Sequence, residues 1–303
     1  MKLVSIQHEG AARLGVVVDN EALVLPSSMG DMLTVIEAGD EGLGAIRSLL
    51  DDRTLVRRAL EKVHILPPLS RFRRDILCTG WNYHAHFDEG VGKRGDQEVE
   101  RPKAPTFFTK GPDTVIGARD PIAFDTRLSE CWDYEGEIAV IIGRPLFSPS
   151  VEESEAAIFG YCLANDISQR DLQRRHGGQW LKGKSVDGTM PMGPFVVTAD
   201  EVDLANVTLE CFVNCERRQS AAATQMAFSV GELISELAFG MTLKAGDVVL
   251  TGTPAGIGSA RVPPSYLRAG DEIVVRATGL GELRNVVEPT DLARNSPVVR
   301  ALN

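Results

Sequence analysis

The sequence lacks any apolar stretch that approaches the roughly 20 residues of a membrane-spanning helix. Its first residues, MKLVSIQHEG, lack the basic and apolar regions of a secretory signal peptide. No basic run is longer than two residues, and 32 Lys and Arg against 42 Asp and Glu give a formal charge of −10. These absences argue against nucleic acid or a membrane as a partner. We therefore expect a cytoplasmic location.

Cysteine is scarce as well. The five cysteines are an odd number, and no two of them form a CxxC pair. This usage is typical of reduced thiols in a cytosolic protein. Cys211 and Cys215 have no second Cys or His pair at zinc-site spacing, so the sequence disfavours a zinc site.

The chain has no internal repeat and no low-complexity tract, and its 303 residues can form a main domain with a smaller one attached. Residues 1–70 contain short alternating runs, LVSIQ, RLGVVVD and ALVLP, and then helical patterns near MLTVIEAG, GAIRSLLDD and TLVRRALEKV. We interpret them as a small N-terminal α/β domain. The segment Ile65–Leu69, ILPPL, is the predicted linker, because paired prolines favour an extended chain.

Residues 71–303 form the predicted catalytic domain. Short apolar runs with few helices between them, such as TFFTK, EIAVIIG and VTLECFVN, indicate a β-rich α+β fold. Capping patterns predict two helices in this domain, one that begins at Ser168 and one that begins at Ser229 and closes at Gly240.

An acidic pair interrupts the apolar run WDYEGEIAV. Glu135 and Glu137 stand two residues apart, so on a strand they share one face. Like charges at such a distance repel unless a cation or a proton lies between them, which indicates a metal site or an acid–base pair. An edge strand with an acidic solvent face is the alternative. Asp166, at the end of FGYCLAND, supplies a third carboxylate for a hard divalent cation, or else caps the next helix.

A histidine and a glutamate stand at the spacing His86-x-x-Glu89, which places them side by side on one helical turn. A carboxylate beside an imidazole raises its basicity and fixes its tautomer, the arrangement that takes a proton from water. A solvated surface ion pair is the alternative. Residues 90–105 are charged and poor in apolar side chains, and we predict a lid around residues 84–104.

Residues 178–185, GQWLKGKS, fit the phosphate-loop pattern G-x-x-x-x-G-K-[ST]. That loop needs a buried strand before it and a helix after it. The polar RDLQRRH precedes it here and a Gly- and Pro-rich stretch follows, so nucleotide binding through Gly178 to Ser185 is a remote alternative. Lys184 instead offers a positive charge to an anionic substrate.

Seven pieces, taken together, resemble the fumarylacetoacetate hydrolase family from about Ile76 to Val287: GWNYHAHFDE, FFTKGPDTVIG, WDYEGEIAVIIG, ANDISQRDLQ, GGQWLKGKSVDGTMPMGP, TLKAGDVVLTGTPAGIG and GDEIVVRATGLGELRN. The resemblance is to bacterial members of the acylpyruvate hydrolase or 2-hydroxyhepta-2,4-diene-1,7-dioate isomerase type. It implies a mixed β-roll or sandwich and a homodimer. It also implies a divalent metal, commonly Mg²⁺ and sometimes Mn²⁺ or Ca²⁺.

The resemblance also implies roles for individual residues. It makes Glu135, Glu137 and Asp166 the metal ligands. It makes His86, Glu89 and Lys184 catalytic. The implied substrate contacts are Arg170, Gln173, Thr253 and Lys110. We expect specificity to depend on the lid and on Trp81, Tyr83, Trp180 and Met192.

The resulting functional expectation is metal-dependent hydrolysis of a carbon–carbon bond in an acylpyruvate or related β-diketo acid, such as fumarylpyruvate, in aromatic catabolism. His86 would activate water, and pyruvate would leave as an enolate bound to the metal. Oxaloacetate decarboxylation and isomerisation of an unsaturated 2-oxo diacid are alternatives at the same site. A non-catalytic binding module is a further alternative.

Overall fold

The computed structural model describes residues 1–93 and 98–294. The helices in these residues are α1 (Met32–Leu49), α2 (His84–Glu89), α3 (Val151–Glu155), α4 (Arg170–Arg175), α5 (Leu181–Lys184) and α6 (Val230–Ala238). The strands are β1 (Lys2–His8), β2 (Ala11–Val18), β3 (Glu21–Val24), β4 (Arg57–Ala59), β5 (Ile76–Gly80), β6 (Thr106–Lys110), β7 (Val115–Ile116), β8 (Ile122–Phe124), β9 (Trp132–Asp133), β10 (Gly136–Ile142), β11 (Ile158–Asn165), β12 (Ser168–Gln169), β13 (Met190–Thr198), β14 (Thr208–Val213), β15 (Glu216–Ala222), β16 (Val248–Leu250), β17 (Glu272–Ala277) and β18 (Gly281–Pro289). Strand content exceeds helix content, so the predicted β-rich α+β class is confirmed.

The strands form two main sheets. The larger sheet has eleven strands in the order β4-β3-β2-β1-β13-β11-β10-β16-β5-β6, with β7 paired to β13. The smaller has five, in the order β15-β14-β17-β18-β8, and β9 and β12 form a separate short pair. Strands β10, β11 and β13 pack against strands of the five-stranded sheet. This is the predicted mixed sandwich.

Strand β10 is buried on both faces. Ile138 and Val140 belong to the core shared with the five-stranded sheet, whereas Ala139 and Ile141 belong to the core that contains α1. Its neighbours are β11 and β16, so β10 lies inside the sheet and not at an edge. The alternative that Glu137 lies on an acidic edge strand is therefore wrong. The predicted alternation of side chains between the two faces of β10 is confirmed.

The N-terminal strands continue the larger sheet, because β1 pairs with β13 through Leu3 and Val196. Ile65 and Leu69 of the predicted linker are buried, and Ile65 forms a bridge with Ile6. Residues 1–70 thus pack as an extension of the sheet. Their folding as a separate domain stays a prediction.

Two local predictions in this chain need correction. The run TLVRRALEKV forms no α-helix, because residues 57–59 become β4 and pair with β3, and a 3-10 turn, Leu60–Lys62, follows. Long-range strand pairing overrides its helical propensity. The helix predicted at Ser168 begins at Arg170, because Ser168–Gln169 pair with β9 and the Ser168 hydroxyl donates to the carbonyl of Asp166.

The second predicted helix is confirmed. Ser229 caps α6, its hydroxyl accepts from the N–H of Glu232, and the Glu232 carboxylate accepts from the N–H of Ser229. Gly240 follows the helix at φ 72°, a conformation that favours glycine. Within the described ranges, no helix has the length and apolar character to cross a membrane.

Ile138→Ala should lower the free energy of unfolding by about 2–5 kcal/mol, because it opens a cavity behind the acidic pair. Ile138 has no exposed surface. The matched control is Val286→Ala in β18, where the side chain is 39% exposed, and its expected effect is below about 0.5 kcal/mol. Urea denaturation measures both. Equal effects of the two substitutions would contradict the assigned core.

Candidate active site

Three carboxylates meet where β10 and β11 pair. Gly136 lies opposite Asn165, so Glu135, directly before β10, adjoins Asp166, directly after β11. The N–H of Asp166 donates to the carbonyl of Glu135 at 2.8 Å. Glu137 projects from β10 itself. One oxygen from each of Glu135, Glu137 and Asp166 lies within 4.8 Å of the other two, and all three side chains are buried.

Two of these carboxylates are paired with buried cations. The ammonium of Lys184 donates to Glu135 Oε2 and to Asp166 Oδ2, both at 2.6 Å. Lys110 donates to the other oxygen of Asp166 at 2.8 Å. Glu137 instead accepts from the backbone N–H of Gly252 at 2.7 Å.

These environments move the two glutamate pKa values in opposite directions. Burial raises the pKa of Glu137 well above its usual value, and the charges of Asp166 and Glu135 raise it further. Burial acts in the same direction on Glu135, but Arg170 and Lys184 outweigh it and lower the pKa of Glu135 to about 2. Among the described residues, Glu137 is thus the one of the three carboxylates without an ion pair, although the charge of Lys184 opposes the rise of its pKa.

The donor set fits a hard divalent cation. In the buried cluster, four carboxylates face three cations, which leaves one negative charge in excess when Glu137 is ionised and none when it is protonated. The members are Asp133, Glu135, Glu137, Asp166, Lys110, Arg170 and Lys184. The converging atoms at Glu135, Glu137 and Asp166 are all oxygens, the ligands that Mg²⁺, Mn²⁺ and Ca²⁺ accept. A cation there would relieve the repulsion that raises the pKa of Glu137.

The predicted histidine–glutamate pair forms within α2. Nδ1 of His86 lies 2.8 Å from Glu89 Oε1, and the other oxygen of Glu89 accepts from the N–H of Gly256 at 2.8 Å. Since a carboxylate only accepts, Nδ1 carries the proton and Nε2 can accept another. His86, Glu135 and Glu137 line one cavity of about 30 Å³. Residues 94–97 of the predicted lid lie outside the described residues.

The four predicted substrate contacts occupy different positions. Arg170, Gln173 and Thr253 line this cavity, but Lys110 does not. The Arg170 guanidinium bridges Asp133 at 2.9 Å and Glu135 at 2.5 Å, and it donates to the Gln173 side chain at 3.0 Å. Arg170 therefore holds a metal-ligand candidate in place. Its contact with substrate stays a prediction.

Thr253 and Lys110 also have partners within the protein. The Thr253 hydroxyl donates to the carbonyl of Gly136 at 2.9 Å and accepts from Gln219 at 2.7 Å. Lys110 is fully buried and donates to Asp166 and to the carbonyl of Ile167. Both side chains support the carboxylate cluster in this structure.

Asp133 is a site residue that the sequence reasoning missed. It is fully buried, and its carboxylate accepts from Arg170 and from the N–H groups of Gly258 and Ser259 at 2.7 and 2.9 Å. Asp133 thereby joins α4 to residues 252–259, which we call the glycine-rich loop. Gly256 of this loop orients Glu89. Its signal was an acidic residue directly after Trp132, within a stretch that is otherwise suited to burial.

The aromatic residues divide between the cavity and the core. Trp81 and Trp180 line the cavity, whereas Tyr83 and Met192 are buried and do not line it. The specificity role expected for Met192 is therefore corrected, because this side chain packs in the core that contains α1. Residues 178–185 follow α4 and enter the one-turn helix α5, so the strand and the long helix of a phosphate loop are both missing there.

A family model described as fumarylacetoacetate (FAA) hydrolase C-terminal matches residues 75–288. The match spans more than half of the chain, so the protein belongs to the fumarylacetoacetate hydrolase family. Members of this family are enzymes that act on oxo acids, and the predicted family is confirmed.

Two curated relatives are named oxaloacetate tautomerases. YisK of Bacillus subtilis is 36% identical over 293 residues, which cover 90% of this chain and 95% of the relative. The human mitochondrial protein FAHD2A is 37% identical over 265 residues, which cover 87% of this chain and 80% of the relative.

Solved structures of similar fold include two hydrolases. Fumarylacetoacetate hydrolase from Exiguobacterium antarcticum has a TM-score of 0.84 at 36% identity and covers 96% of this chain and 100% of its own. Maleylpyruvate hydrolase from Sphingobium sp. SYK-6, in complex with manganese(II) and pyruvate, has a TM-score of 0.77 at 27% identity with coverage of 96% and 100%. A structural relative thus binds Mn²⁺.

Glu137→Gln should weaken Mn²⁺ binding at least tenfold, because it removes the carboxylate that lacks a cationic partner. Isothermal titration calorimetry measures the affinity. Glu288→Gln, at an exposed position of β18, is the matched control and should bind Mn²⁺ like the unmodified protein. Unchanged affinity in Glu137→Gln would exclude this residue as a ligand.

The stabilisation by Mn²⁺ should grow with pH. The pKa of Glu137 is raised in the folded, metal-free protein, so its protonated form stabilises the fold. This stabilisation is complete when the pH is below the ordinary pKa of 4.5, and it is lost as the pH rises through the pKa of the folded protein. A bound cation replaces the proton, so the increase in Tm on adding Mn²⁺ should be larger at about pH 8 than at about pH 5. Differential scanning fluorimetry tests this, with Glu137→Gln as the variant in which the trend weakens. A pH-independent shift in the unmodified protein would refute it.

Proposed function

We propose that the protein catalyses the enol–keto tautomerisation of oxaloacetate, or of a closely similar small 2-oxo diacid, with a divalent cation. The observation that carries the proposal is the shared cavity. It joins the His86–Glu89 pair, which can transfer a proton, to two of the three carboxylates that can hold a cation. The names of the relatives YisK and FAHD2A support oxaloacetate as the substrate.

Tautomerisation moves one proton between the enol oxygen and C3, with no net gain or loss of atoms. Nε2 of His86 can accept the proton from one position and return it to the other, while Glu89 holds the ring and stabilises its charged form. A cation held by Glu135, Glu137 and Asp166 supplies Lewis-acid polarisation of the 2-oxo group. Glu89 is in turn held by Gly256, so the orientation of the ring depends on the glycine-rich loop.

The charge of the cluster accounts for the need for a cation. Once Glu137 is ionised, a diacid that approaches the cavity meets a buried cluster with one negative charge in excess, and a bound cation would offset that charge. Lys184 and Arg170 form ion pairs with Glu135, so they reduce the repulsion between the cluster and an anionic substrate but do not turn it into attraction. Mg²⁺ and Mn²⁺ both suit the oxygen donors, and the Mn²⁺ complex of the maleylpyruvate hydrolase supports the second.

Hydrolysis of an acylpyruvate is the second candidate. The free Nε2 of His86 can equally take a proton from water, and the likeness to maleylpyruvate hydrolase supports a substrate of this class. The hydrolase activity expected from the sequence stays a prediction, as do decarboxylation and the implied homodimer. The two candidates differ in products, since tautomerisation releases no pyruvate.

His86→Ala should lower kcat for oxaloacetate tautomerisation by about 10²–10⁴-fold, because it removes the group that transfers the proton. Proton NMR of the enol and keto forms, with Mg²⁺ present, measures the rate. The Mn²⁺ affinity of His86→Ala should remain within about threefold of that of the unmodified protein, since His86 is not one of the candidate metal ligands. The matched control is His84→Ala, an exposed residue of the same helix, which should retain full activity.

A coupled assay for pyruvate on oxaloacetate and on acetylpyruvate separates the candidate reactions. Tautomerisation without pyruvate release supports the first candidate, and pyruvate release from acetylpyruvate that depends on His86 supports the second. Turnover that persists in excess chelator would contradict both, because both require the cation. Normal turnover in His86→Ala would remove this residue from the mechanism.

A further inference from the structure

A second cavity opens beside the active site. Its volume is about 840 Å³, within the range of small-molecule pockets. We call it the aromatic cavity. Its lining consists of Trp81, Val99, Thr106, Phe107, Phe108, Thr109, Gly177, Gly178, Gln179, Trp180 and Leu181.

We propose that the aromatic cavity binds an uncharged aromatic or other flat apolar substituent of a 2-oxo acid whose oxo-acid end lies at the carboxylate cluster. The proposal rests on the proposed function, since it takes the 2-oxo acid site as the anchor. It extends the substrate class from oxaloacetate to aroylpyruvates.

The two cavities share part of their lining. Trp81, Phe108 and Trp180 line both of them, so these rings lie at the boundary between the active-site cavity and the larger space. The ammonium of Lys184 lies 5.1 Å from the centre of the Phe108 ring. The Lys184 side chain therefore contacts both the charged cluster and a ring that lines the aromatic cavity.

The rings form a connected wall that suits a flat ligand. Trp180 packs edge-on against Trp81, with ring centres 4.9 Å apart, and against Phe108 at 5.2 Å. Phe87 of α2 packs on Trp81 at 5.7 Å. A planar apolar group gains offset or edge-to-face contacts with such a wall, beyond the burial of its surface.

The backbone is adapted to this wall at two adjacent positions. Trp81 has φ 56°, a left-handed conformation that a bulky residue rarely adopts and that is retained mainly at functional sites. A Cβ on Gly80 would lie 2.7 Å from the Trp180 ring, so only glycine allows that ring its present position. The positive φ of Trp81 and the glycine at position 80 together allow the rings of Trp81 and Trp180 to be in contact.

The charge of the lining selects the substituent. Among the described residues, none that lines the aromatic cavity is Asp, Glu, Lys or Arg. A second carboxylate, such as that of a fumaryl group, would lose its hydration there, and none of the described lining residues could form an ion pair with it. An uncharged aromatic ring loses little hydration and gains contact with the wall. The favoured substituent is therefore aromatic and neutral.

Isothermal titration calorimetry with the Mg²⁺-loaded protein tests the proposal with three probes: benzoylpyruvate, acetylpyruvate and fumarylpyruvate. All three present the same 2-oxo acid end. Benzoylpyruvate should bind at least ten times more tightly than acetylpyruvate, and fumarylpyruvate should bind no more tightly than acetylpyruvate. Benzoylpyruvate that binds no better than acetylpyruvate would overturn the proposal.

Variants that fill the aromatic cavity test whether the preference for benzoylpyruvate arises in this cavity. Thr106→Trp and Leu181→Trp each place a ring in the cavity from a residue that does not line the active site. Either one should reduce the preference for benzoylpyruvate over acetylpyruvate at least fivefold. The matched control is Thr208→Trp at an exposed position of β14, which should leave the preference unchanged. Leu181 is 49% exposed, so a larger side chain at this position should not prevent folding. Leu181→Trp therefore still tests the proposal if Thr106→Trp fails to fold.

The outcomes for the two proposals are distinct. Oxaloacetate tautomerisation with no preference for benzoylpyruvate retains the proposed function and overturns the aromatic cavity as a substituent site. A preference that the filling variants abolish, in a protein that does not tautomerise oxaloacetate, supports the cavity and overturns the proposed reaction. A preference that survives both filling variants also overturns the cavity.

Discussion

The burial of several carboxylates in one cluster is the constraint on which the rest of this structure depends. Each would lose several kcal/mol of hydration if it stayed charged and unpaired. Lys184 lies between Glu135 and Asp166, and Arg170 connects Glu135 to Asp133. Glu137 has no ion pair among the described residues, and its burial together with the charges of Asp166 and Glu135 raises its pKa. This imbalance makes the site ready for a divalent cation.

The fold holds this cluster rigidly from several directions. The register of β10 and β11 brings Glu135 beside Asp166, and the packed cores on both faces of β10 keep Glu137 in line. Asp133 ties α4 to the glycine-rich loop, and the same loop orients Glu89. The candidate cation site and the proposed proton-transfer pair therefore share one support. A shift in the glycine-rich loop would disturb both.

The active site has a charged side and an aromatic side, and they suit different parts of a substrate. The carboxylate cluster suits the oxo-acid end, which the relatives named as tautomerases and hydrolases have in common. In our proposal the aromatic wall is where this chain discriminates between substrates, because none of the described residues that line the aromatic cavity is charged. Reaction type and substrate choice would then depend on different residues.

The features that the sequence by itself determined are those set by local periodicity. The side chains of Glu135 and Glu137 converge because alternate residues of an extended chain point the same way, and His86 meets Glu89 because three residues span nearly one helical turn. The capping box at Ser229 is equally local. In each case the interacting groups lie within a few residues of each other, so their geometry follows from the backbone alone.

Only the tertiary structure decided the partners of Arg170 and Lys110 and the importance of Asp133. Arg170 meets Glu135 from 35 residues away, and Lys110 meets Asp166 from 56 residues away. Pairing with β3 likewise changed residues 57–59 from an expected helix to a strand. These contacts depend on how distant strands pair and pack. Local propensity amounts to a few tenths of a kcal/mol per residue and cannot determine them.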